Sequence, residues 1–261
     1  MPEADLPAAE PYCGGCKRPL SSGARFCRYC GRGVVSGIDP GVSIAAVTTK
    51  SDFDVRWKYV RMVAWLFGML LATSFVFGIA ERVYHSPWVG VIASSIDALL
   101  IVGFAIVRRE DLGPLFALPR CDRRNGLLLI LLAVGFIALM SAYFGLLKHF
   151  GVPMLRATGT FHDTGWPVGV MFLMVSLTPG IFEEIGFRGV IQSLLERTVN
   201  LREAWLIQAA LFSVLHLSPI IFPSHFVMGL VFGYLRLRSR SLYPGMVLHA
   251  SWNAMQVFAE I

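Results

Sequence analysis

Two adjacent carboxylates and an arginine follow a long uncharged run of the sequence. Glu183, Glu184 and Arg188 come directly after residues 166–182, which contain no charged side chain. Glu184 and Arg188 are four residues apart, so on a helix they share a face, in the order that favours an ion pair. Glu183 is turned about 100° from Glu184 and lacks that partner. Either Glu183 is available for proton transfer, or these charges mark a helix end at the lipid headgroups.

Further side chains of catalytic type lie in the apolar runs downstream. His216 closes the stretch Phe212-Ser-Val-Leu-His216, and His249 opens His249-Ala-Ser-Trp-Asn253. His249 and Asn253 project from one face of a helix, because they are four residues apart. A lone histidine in an apolar helix is usually a packing residue. Here two histidines, an asparagine and a carboxylate pair together supply a base, water ligands and oxyanion donors, which hydrolysis by an activated water requires.

The composition is that of a membrane protein. Of the 261 residues, 55% are hydrophobic and 15% are charged, and the mean hydropathy is +0.62, values untypical of a soluble globule. The net charge of +6 does not predict a nucleic-acid partner, because the basic residues stand in short loops beside apolar runs, where membrane topology accounts for them. The first forty residues contain no apolar segment of the signal-peptide type, so no secretory signal peptide is expected.

Seven apolar runs predict the helices that position these residues. They are residues 62–80, 89–107, 126–147, 166–182, 204–222, 226–235 and 242–258. The last three are separated by very short turns and should pack as neighbours in the bilayer. We therefore predict an all-α polytopic membrane helix bundle of about seven or eight transmembrane helices.

Arginine placement predicts the orientation in the membrane. Residues 108–125 contain five arginines, residues 183–203 contain three, and Arg236, Arg238 and Arg240 cluster before the last run. By the positive-inside rule these loops are cytoplasmic, and so is the N-terminus. We expect a multi-pass protein of a bacterial plasma membrane. Seven spans place the C-terminus outside, and a re-entrant segment or a missed helix would reverse that.

Four cysteines near the N-terminus have the spacing of a metal site. Cys13, Cys16, Cys27 and Cys30 form two C-x-x-C pairs, which resemble the knuckles of small bacterial zinc ribbons. Four thiolates suit a closed, structural Zn²⁺ site, whereas no thioredoxin-like pattern supports a redox pair. The predicted organisation is a ribbon in residues 1–33, a linker in 34–58 and a membrane domain in 59–261. Cys121, between charged neighbours, is expected to be a free surface thiol.

Asp97 is the single charged residue in the run 89–107. Ser94 and Ser95 precede it, and we interpret it as a structural residue that accepts hydrogen bonds from hydroxyl groups or from a neighbouring helix. A lone aspartate does not predict an intramembrane aspartyl dyad. The sequence also lacks H-E-x-x-H and a rhomboid-like Gly-x-Ser with a partner histidine, so those protease classes are not supported.

Three motifs resemble those of a known family. Glu183-Glu184-x-x-x-Arg188, Phe212-x-x-x-His216 and His249-x-x-x-Asn253 match, in order, the motifs of the CPBP family. This family comprises the CAAX prenyl-protein endopeptidases and the bacteriocin-processing (Abi) intramembrane proteases. The resemblance covers residues 166–258, and three motifs in the right order make it specific. It implies an intramembrane endopeptidase.

The resemblance also implies a role for each motif residue. Glu183 and His216 would activate a water molecule, His249 and Asn253 would stabilise the oxyanion or hold the site, and Glu184 and Arg188 would support it. Family members are commonly labelled metalloproteases. The prenyl-protein members are also described as glutamate-dependent without an essential metal, so a catalytic metal stays open.

A different class of function fits some of the same residues. Inward-facing Glu, His and Asn side chains can line a substrate or proton path, so the alternative is a non-catalytic membrane scaffold or transporter whose ribbon recruits a cytosolic protein. Convergence of Glu183, His216, His249 and Asn253 on one cavity favours the protease. Its substrate would be a peptide or protein, and bacteriocin maturation, immunity and cleavage of signalling proteins are all compatible with the sequence.

We predict that the ribbon binds one Zn²⁺ and folds independently of the helices. A Cys13→Ser, Cys27→Ser double variant should lose the metal yet keep the helical domain, because the metal supplies the folding energy of the ribbon alone. Native mass spectrometry with elemental zinc analysis measures the first outcome, and circular dichroism with size-exclusion chromatography the second. Loss of the folded helical domain would contradict a modular ribbon.

Overall fold

The computed structural model describes residues 12, 13, 18, 50–119, 123–153, 156 and 158–261, and its regular elements are helices. The all-α prediction agrees with this part of the chain. The helices are α1 (Lys50–Tyr84), α2 (Pro87–Val107), α3 (Arg109–Leu112), α4 (Arg123–His149), α5 (Gly159–Asp163), α6 (Val168–Leu195), α7 (Leu201–Leu215), α8 (Phe222–Ser239) and α9 (Tyr243–Glu260).

Four helices in the described residues are long and apolar enough to cross a bilayer. They are Phe53–Tyr84 within α1, Pro87–Val107, Gly126–His149 within α4, and Val168–Leu195. These helices contain the first three predicted runs and all of the fourth except residues 166 and 167, and they support an integral membrane protein. The later runs form α7, α8 and α9, of 15, 18 and 18 residues. A total of seven or eight transmembrane helices stays a prediction.

The N-terminal predictions fall largely outside the described residues. Cys13 is buried, and its backbone N–H donates to the carbonyl of Arg18 at 2.9 Å. Cys16, Cys27, Cys30 and Cys121 lie outside the described part, so the zinc ribbon and the free thiol stay predictions. The predicted linker, residues 34–58, differs from the structure in its last part, because α1 already begins at Lys50.

Helix α6 carries the paired carboxylates in its middle. The predicted apolar run ends at residue 182, but the helix continues through Glu183 and Arg188 to Leu195. It widens to π-helical geometry at Phe172–Leu177 and Glu184–Ile191. Such segments are rare and often mark functional sites. The first precedes Pro179, where Thr178 Oγ1 donates to the carbonyl of Leu173 at 2.8 Å.

The chain turns earlier than predicted after α7. Asn200 caps the start of this helix by accepting from the N–H groups of Arg202 and Glu203, which satisfies donors that a helix start leaves unpaired. The helix ends at Leu215. The placement of His216 deep inside a span over residues 204–222 is therefore wrong, since His216 follows the last helical residue. Leu217 is left-handed (φ 50°), and the following Ser218-Pro219 pair disfavours helix.

Helices α6 to α9 pack around a shared centre. The most extensive contact is between α7 and α8. There the buried Gln208 donates to the carbonyl of Gly229 at 2.8 Å, and Trp205 donates to that of Leu230 at 2.7 Å. Helix α9 packs along α6, and α1 and α2 pack against each other and against α6. This arrangement brings the first two helices to the same side of α6 as the motif residues.

Helix α6 approaches α9 closely at one glycine. A Cβ atom on Gly180 would lie 2.8 Å from Cβ and 2.9 Å from the backbone nitrogen of Ala250. Beside this contact the buried Ser176 Oγ donates to the carbonyl of Ala250 at 2.8 Å. Small residues let membrane helices approach closely and form such bonds. The contact lies one turn from Glu183 on α6 and next to His249 on α9, so it sets the distance between the two catalytic candidates.

We predict that Gly180→Ala lowers the stability of the helical domain by about 1–3 kcal/mol, since overpacking forces the two backbones apart. Gly169→Ala on the same helix is the matched control, because nothing lies within 4 Å of a Cβ atom there. The control should be neutral, or stabilising by up to about 1 kcal/mol. Thermal unfolding in nanodiscs measures both. Equal effects of the two variants would refute the close packing at Gly180.

Candidate active site

A buried chain of charged groups links α6 to α9. Arg188 Nη1 donates to Glu184 Oε1 at 2.8 Å, and the side chains are 0% and 1% exposed. The same oxygen lies 3.0 Å from His249 Nδ1. Glu184 thus neutralises the arginine and holds the imidazole ring by its Nδ1 nitrogen. The ion pair expected from the i,i+4 spacing is present, and the contact with His249 is an addition that spacing along one helix does not reveal.

Glu183 is in a different environment from its neighbour. Its side chain is 25% exposed, and Oε2 lies 3.8 Å from His249 Nε2, too far for a direct hydrogen bond. Oε2 is itself buried and has no hydrogen-bond partner in the described part of the chain. Glu183 therefore lies near the second nitrogen of the ring whose first nitrogen is held by Glu184, without bonding to it.

A glycine makes room for the Glu184 carboxylate. A Cβ atom on Gly245 would lie 2.7 Å from Glu184 Oε2. Gly245 stands one turn before His249 on α9, so the absence of a side chain there lets the carboxylate pack against the α9 backbone and reach the ring. The hydrogen bond between Glu184 and His249 depends on this close approach.

The Phe212 ring contacts both His216 and His249, with centroid distances of 5.1 Å to His216 and 6.0 Å to His249. His216 Nδ1 bonds to the carbonyl of Phe212 at 2.9 Å, not to Glu183. With Nδ1 donating to that carbonyl, Nε2 is left as an acceptor. His216 is thus close to the buried array without forming part of it.

His225 is a neighbour of His216 that the sequence reasoning did not single out. Its ring contacts that of His216 at a tilt of 44°, with a centroid distance of 3.8 Å, and its Nδ1 lies 3.0 Å from the carbonyl oxygen of Ile221. Both rings are therefore oriented by a carbonyl four residues earlier. No local pattern predicts the pairing, because it arises from the turn between α7 and α8.

A cavity of about 310 Å³ opens beside Glu183. Asn253 and Glu183 line it together, as do Asp97 and Leu70 from the first two helices. This volume is at the lower end for ligand pockets. The structure thus places Asn253 on the cavity wall with Glu183 and brings His249 to 3.8 Å from Glu183, but neither His249 nor His216 is among the described residues that line the cavity. Asp97, interpreted from sequence as structural, turns out to share the cavity.

The described residues also bear on a catalytic metal. Within them, no group of three or more His, Cys, Asp and Glu side chains is arranged to hold a metal ion. The donors at the site are instead engaged with one another: Glu184 with Arg188 and His249, and His216 Nδ1 with a carbonyl. The array fits an acid–base site, in which an acceptor carboxylate and donor groups face a small cavity.

We predict that Glu184→Gln destabilises the protein by about 3–5 kcal/mol, because it leaves the buried charge of Arg188 uncompensated. Asp163→Asn is the matched control, since Asp163 also accepts from an arginine, Arg156 at 2.5 Å, but with a side chain that is 60% exposed. Water and salt screen such a pair, so no measurable change is expected. Thermal unfolding of both variants in one lipid composition compares them, and a fully stable Glu184→Gln variant would contradict the buried ion pair.

Comparison with known proteins agrees with this geometry. Residues 165–255 match the family model described as "Type II CAAX prenyl endopeptidase Rce1-like". The matched segment contains Glu183, Glu184, Arg188, His216, His225, His249 and Asn253. No significant match was found among curated proteins or among solved structures. Over the segment that holds the site, this integral membrane protein is therefore similar to the Rce1-like CAAX proteases, which are intramembrane proteases of the CPBP family.

Proposed function

We propose that the protein is an intramembrane endopeptidase that hydrolyses a peptide bond with a water molecule activated by Glu183. The observation that carries the proposal is the unequal environment of the two adjacent carboxylates. Glu184 is bound to Arg188 and to His249, whereas Glu183 has an oxygen without a partner and faces a cavity. General-base catalysis needs one carboxylate that accepts and releases a proton. The second carboxylate, Glu184, holds Arg188 and the His249 ring in position.

Glu183 acts as the general base. It accepts a proton from the water as the water oxygen attacks the peptide carbonyl carbon, and the C–N bond then breaks as that proton passes to the leaving amine. Removal from bulk water makes a carboxylate a stronger base, and such proton transfer typically contributes about 10²–10⁴-fold in rate. Glu184 is unsuited to this task, because its charge is committed to Arg188.

His249 and Asn253 stabilise the negative charge that develops on the peptide carbonyl oxygen when water attacks. Asn253 carries an amide donor into the cavity wall. His249 donates from Nδ1 to Glu184, so donation from Nε2 as well requires that the ring carry both protons. Each donor placed on a developing oxyanion is worth about 3 kcal/mol in measured cases. The fixed contact with Glu184 keeps the ring aimed without reorganisation during the reaction.

His216 completes the site as an acceptor for the attacking water. Its Nδ1 bond to Phe212 leaves Nε2 with a lone pair, which suits acceptance of a hydrogen bond but not donation to an oxyanion. The contact with the His225 ring restrains the His216 ring from turning. A peptide or protein segment within the bilayer is the substrate, and the N-terminal ribbon is proposed to recruit a cytosolic protein partner.

We predict that Glu183→Gln abolishes peptide cleavage, lowering kcat by about 10²-fold or more, because the amide keeps the shape and loses the basicity. The variant should stay as stable as the wild type, since no bond to Oε2 is lost. The assay is cleavage of library-derived peptides by purified protein in liposomes, with thermal unfolding measured alongside. Glu110→Gln, at an exposed position in α3, is the control.

Cleavage at the wild-type rate by the Glu183→Gln variant would disprove the assignment of the base. Absence of cleavage by the wild type across the library, in a folded preparation, would instead favour a scaffold or transporter. In that case Glu183, His249 and Asn253 would line a path for a solute or proton.

A further inference from the structure

Asp97 brings a second carboxyl group to the cavity from outside the family-matched segment. It stands in the middle of α2, whereas the match begins at residue 165. Asp97, Glu183 and Asn253 all line the 310 Å³ cavity. Helix α2 reaches this position because it packs against α6 on the side that carries Glu183. The wall opposite the catalytic candidates is thus built by a part of the chain that the family motifs do not cover.

The carboxyl group of Asp97 is only partly satisfied. The Thr73 hydroxyl donates to the carbonyl of Met69 at 3.0 Å, and Asp97 Oδ1 is buried and has no hydrogen-bond partner among the described residues. Glu183 Oε2 shares that condition. Buried polar atoms of native proteins nearly always have partners. Two unpartnered carboxyl oxygens on one cavity indicate that an occupant supplies the missing donors.

The described residues supply no cation to the cavity wall. The fourteen of them that line it include no lysine, arginine or histidine. Ionisable groups at membrane depth normally pair with one another or mark a ligand path. The nearest buried arginine, Arg188, is committed to Glu184. A positively charged occupant would therefore meet acceptors without any competing cation on the wall.

We infer, on the basis of the proposed peptidase function, that Asp97 determines specificity by accepting a hydrogen bond from the amino group of a substrate lysine next to the scissile bond. A lysine side chain has an apolar stem and a charged end. The stem matches the apolar part of the wall, which includes Ile101, Met174 and Leu215, and the ammonium group reaches Asp97.

Size and bond strength agree with this occupant. The cavity of about 310 Å³ is at the lower end for ligand pockets, which suits a single long side chain. Hydrogen bonds between ammonium and carboxylate are among the strong ones in proteins. A site built for such a bond rejects an analogue that lacks the donor, because its buried acceptor is then left unpaired.

The test compares two peptides that differ in one atom group. One carries lysine beside the scissile bond and the other norleucine, which keeps the stem and lacks the amino group. Wild-type protein in liposomes should cleave the lysine peptide with a kcat/KM at least tenfold higher. Asp97→Asn should remove most of that preference by lowering kcat/KM for the lysine peptide alone. The control is Ser95→Ala on the same helix, because Ser95 is exposed and donates to the Val91 carbonyl. This control should leave the preference unchanged.

A binding measurement separates this inference from the proposed function. Labelled versions of both peptides are titrated into uncleaving Glu183→Gln protein and into the Glu183→Gln, Asp97→Asn double variant in nanodiscs. Tighter binding of the lysine peptide to the first protein, lost in the second, supports the inference even if no peptide is cleaved.

Equal kcat/KM values and equal affinities for the lysine and norleucine peptides with wild-type protein would overturn the inference. That result would mean that a proton takes the place of the cation on Asp97. That comparison needs no variant, so it decides the question even where Asp97→Asn fails to fold. A preference for lysine that survives in folded Asp97→Asn would overturn it as well, since another residue would then supply the selectivity.

Discussion

The buried charge of Arg188 is the constraint on which the helix arrangement depends. Its side chain is 0% exposed, one guanidinium nitrogen bonds to Glu184, and Nε and Nη2 have no hydrogen-bond partner. The guanidinium carbon instead lies 4.1 Å from the centroid of the Phe212 ring and 5.3 Å from that of Phe232. A cation at this depth is tolerated only with a carboxylate and aromatic faces around it. Those partners come from α6, α7 and α8, so the charge fixes three helices relative to one another.

The same ion pair separates the roles of two carboxylates that are adjacent in sequence. Glu184 must stay ionised to compensate Arg188, and it uses its remaining acceptor capacity on His249. Glu183 is displaced around the helix axis and faces the cavity, where no cation compensates it. Glu184 thus compensates the buried arginine, and the proposed mechanism assigns proton transfer to Glu183. This division is how environment assigns different chemistry to identical side chains.

The helices outside the matched segment have a part in the site as well. Leu70 on α1 lines the cavity with Asp97 and Ile101 on α2, together with Glu183 and Asn253. Ile101 also lies where a Cβ atom on Gly186 would meet it at 3.0 Å, so α2 is seated directly on the π-helical part of α6. Chemistry carried by one segment and substrate selection by another is a way for related proteases to differ in specificity while they share a mechanism.

Local patterns along the chain determined which segments form helices and which residues are candidates for the site. Apolar runs predicted helices α1, α2 and α4, because the hydrocarbon thickness fixes the length and composition of a span. The i,i+4 spacing predicted the Glu184–Arg188 pair and the shared face of His249 and Asn253, because helix geometry is local. What only tertiary structure decided is which groups meet across helices. The hydrogen bond from His249 to Glu184 joins residues that are 65 positions apart in the sequence. The ring contact between His216 and His225 needs the turn after α7. Asp97 lines the cavity only because α2 packs on α6. Such contacts depend on how whole helix faces pack against one another, and residue spacing within one helix carries no information about that packing.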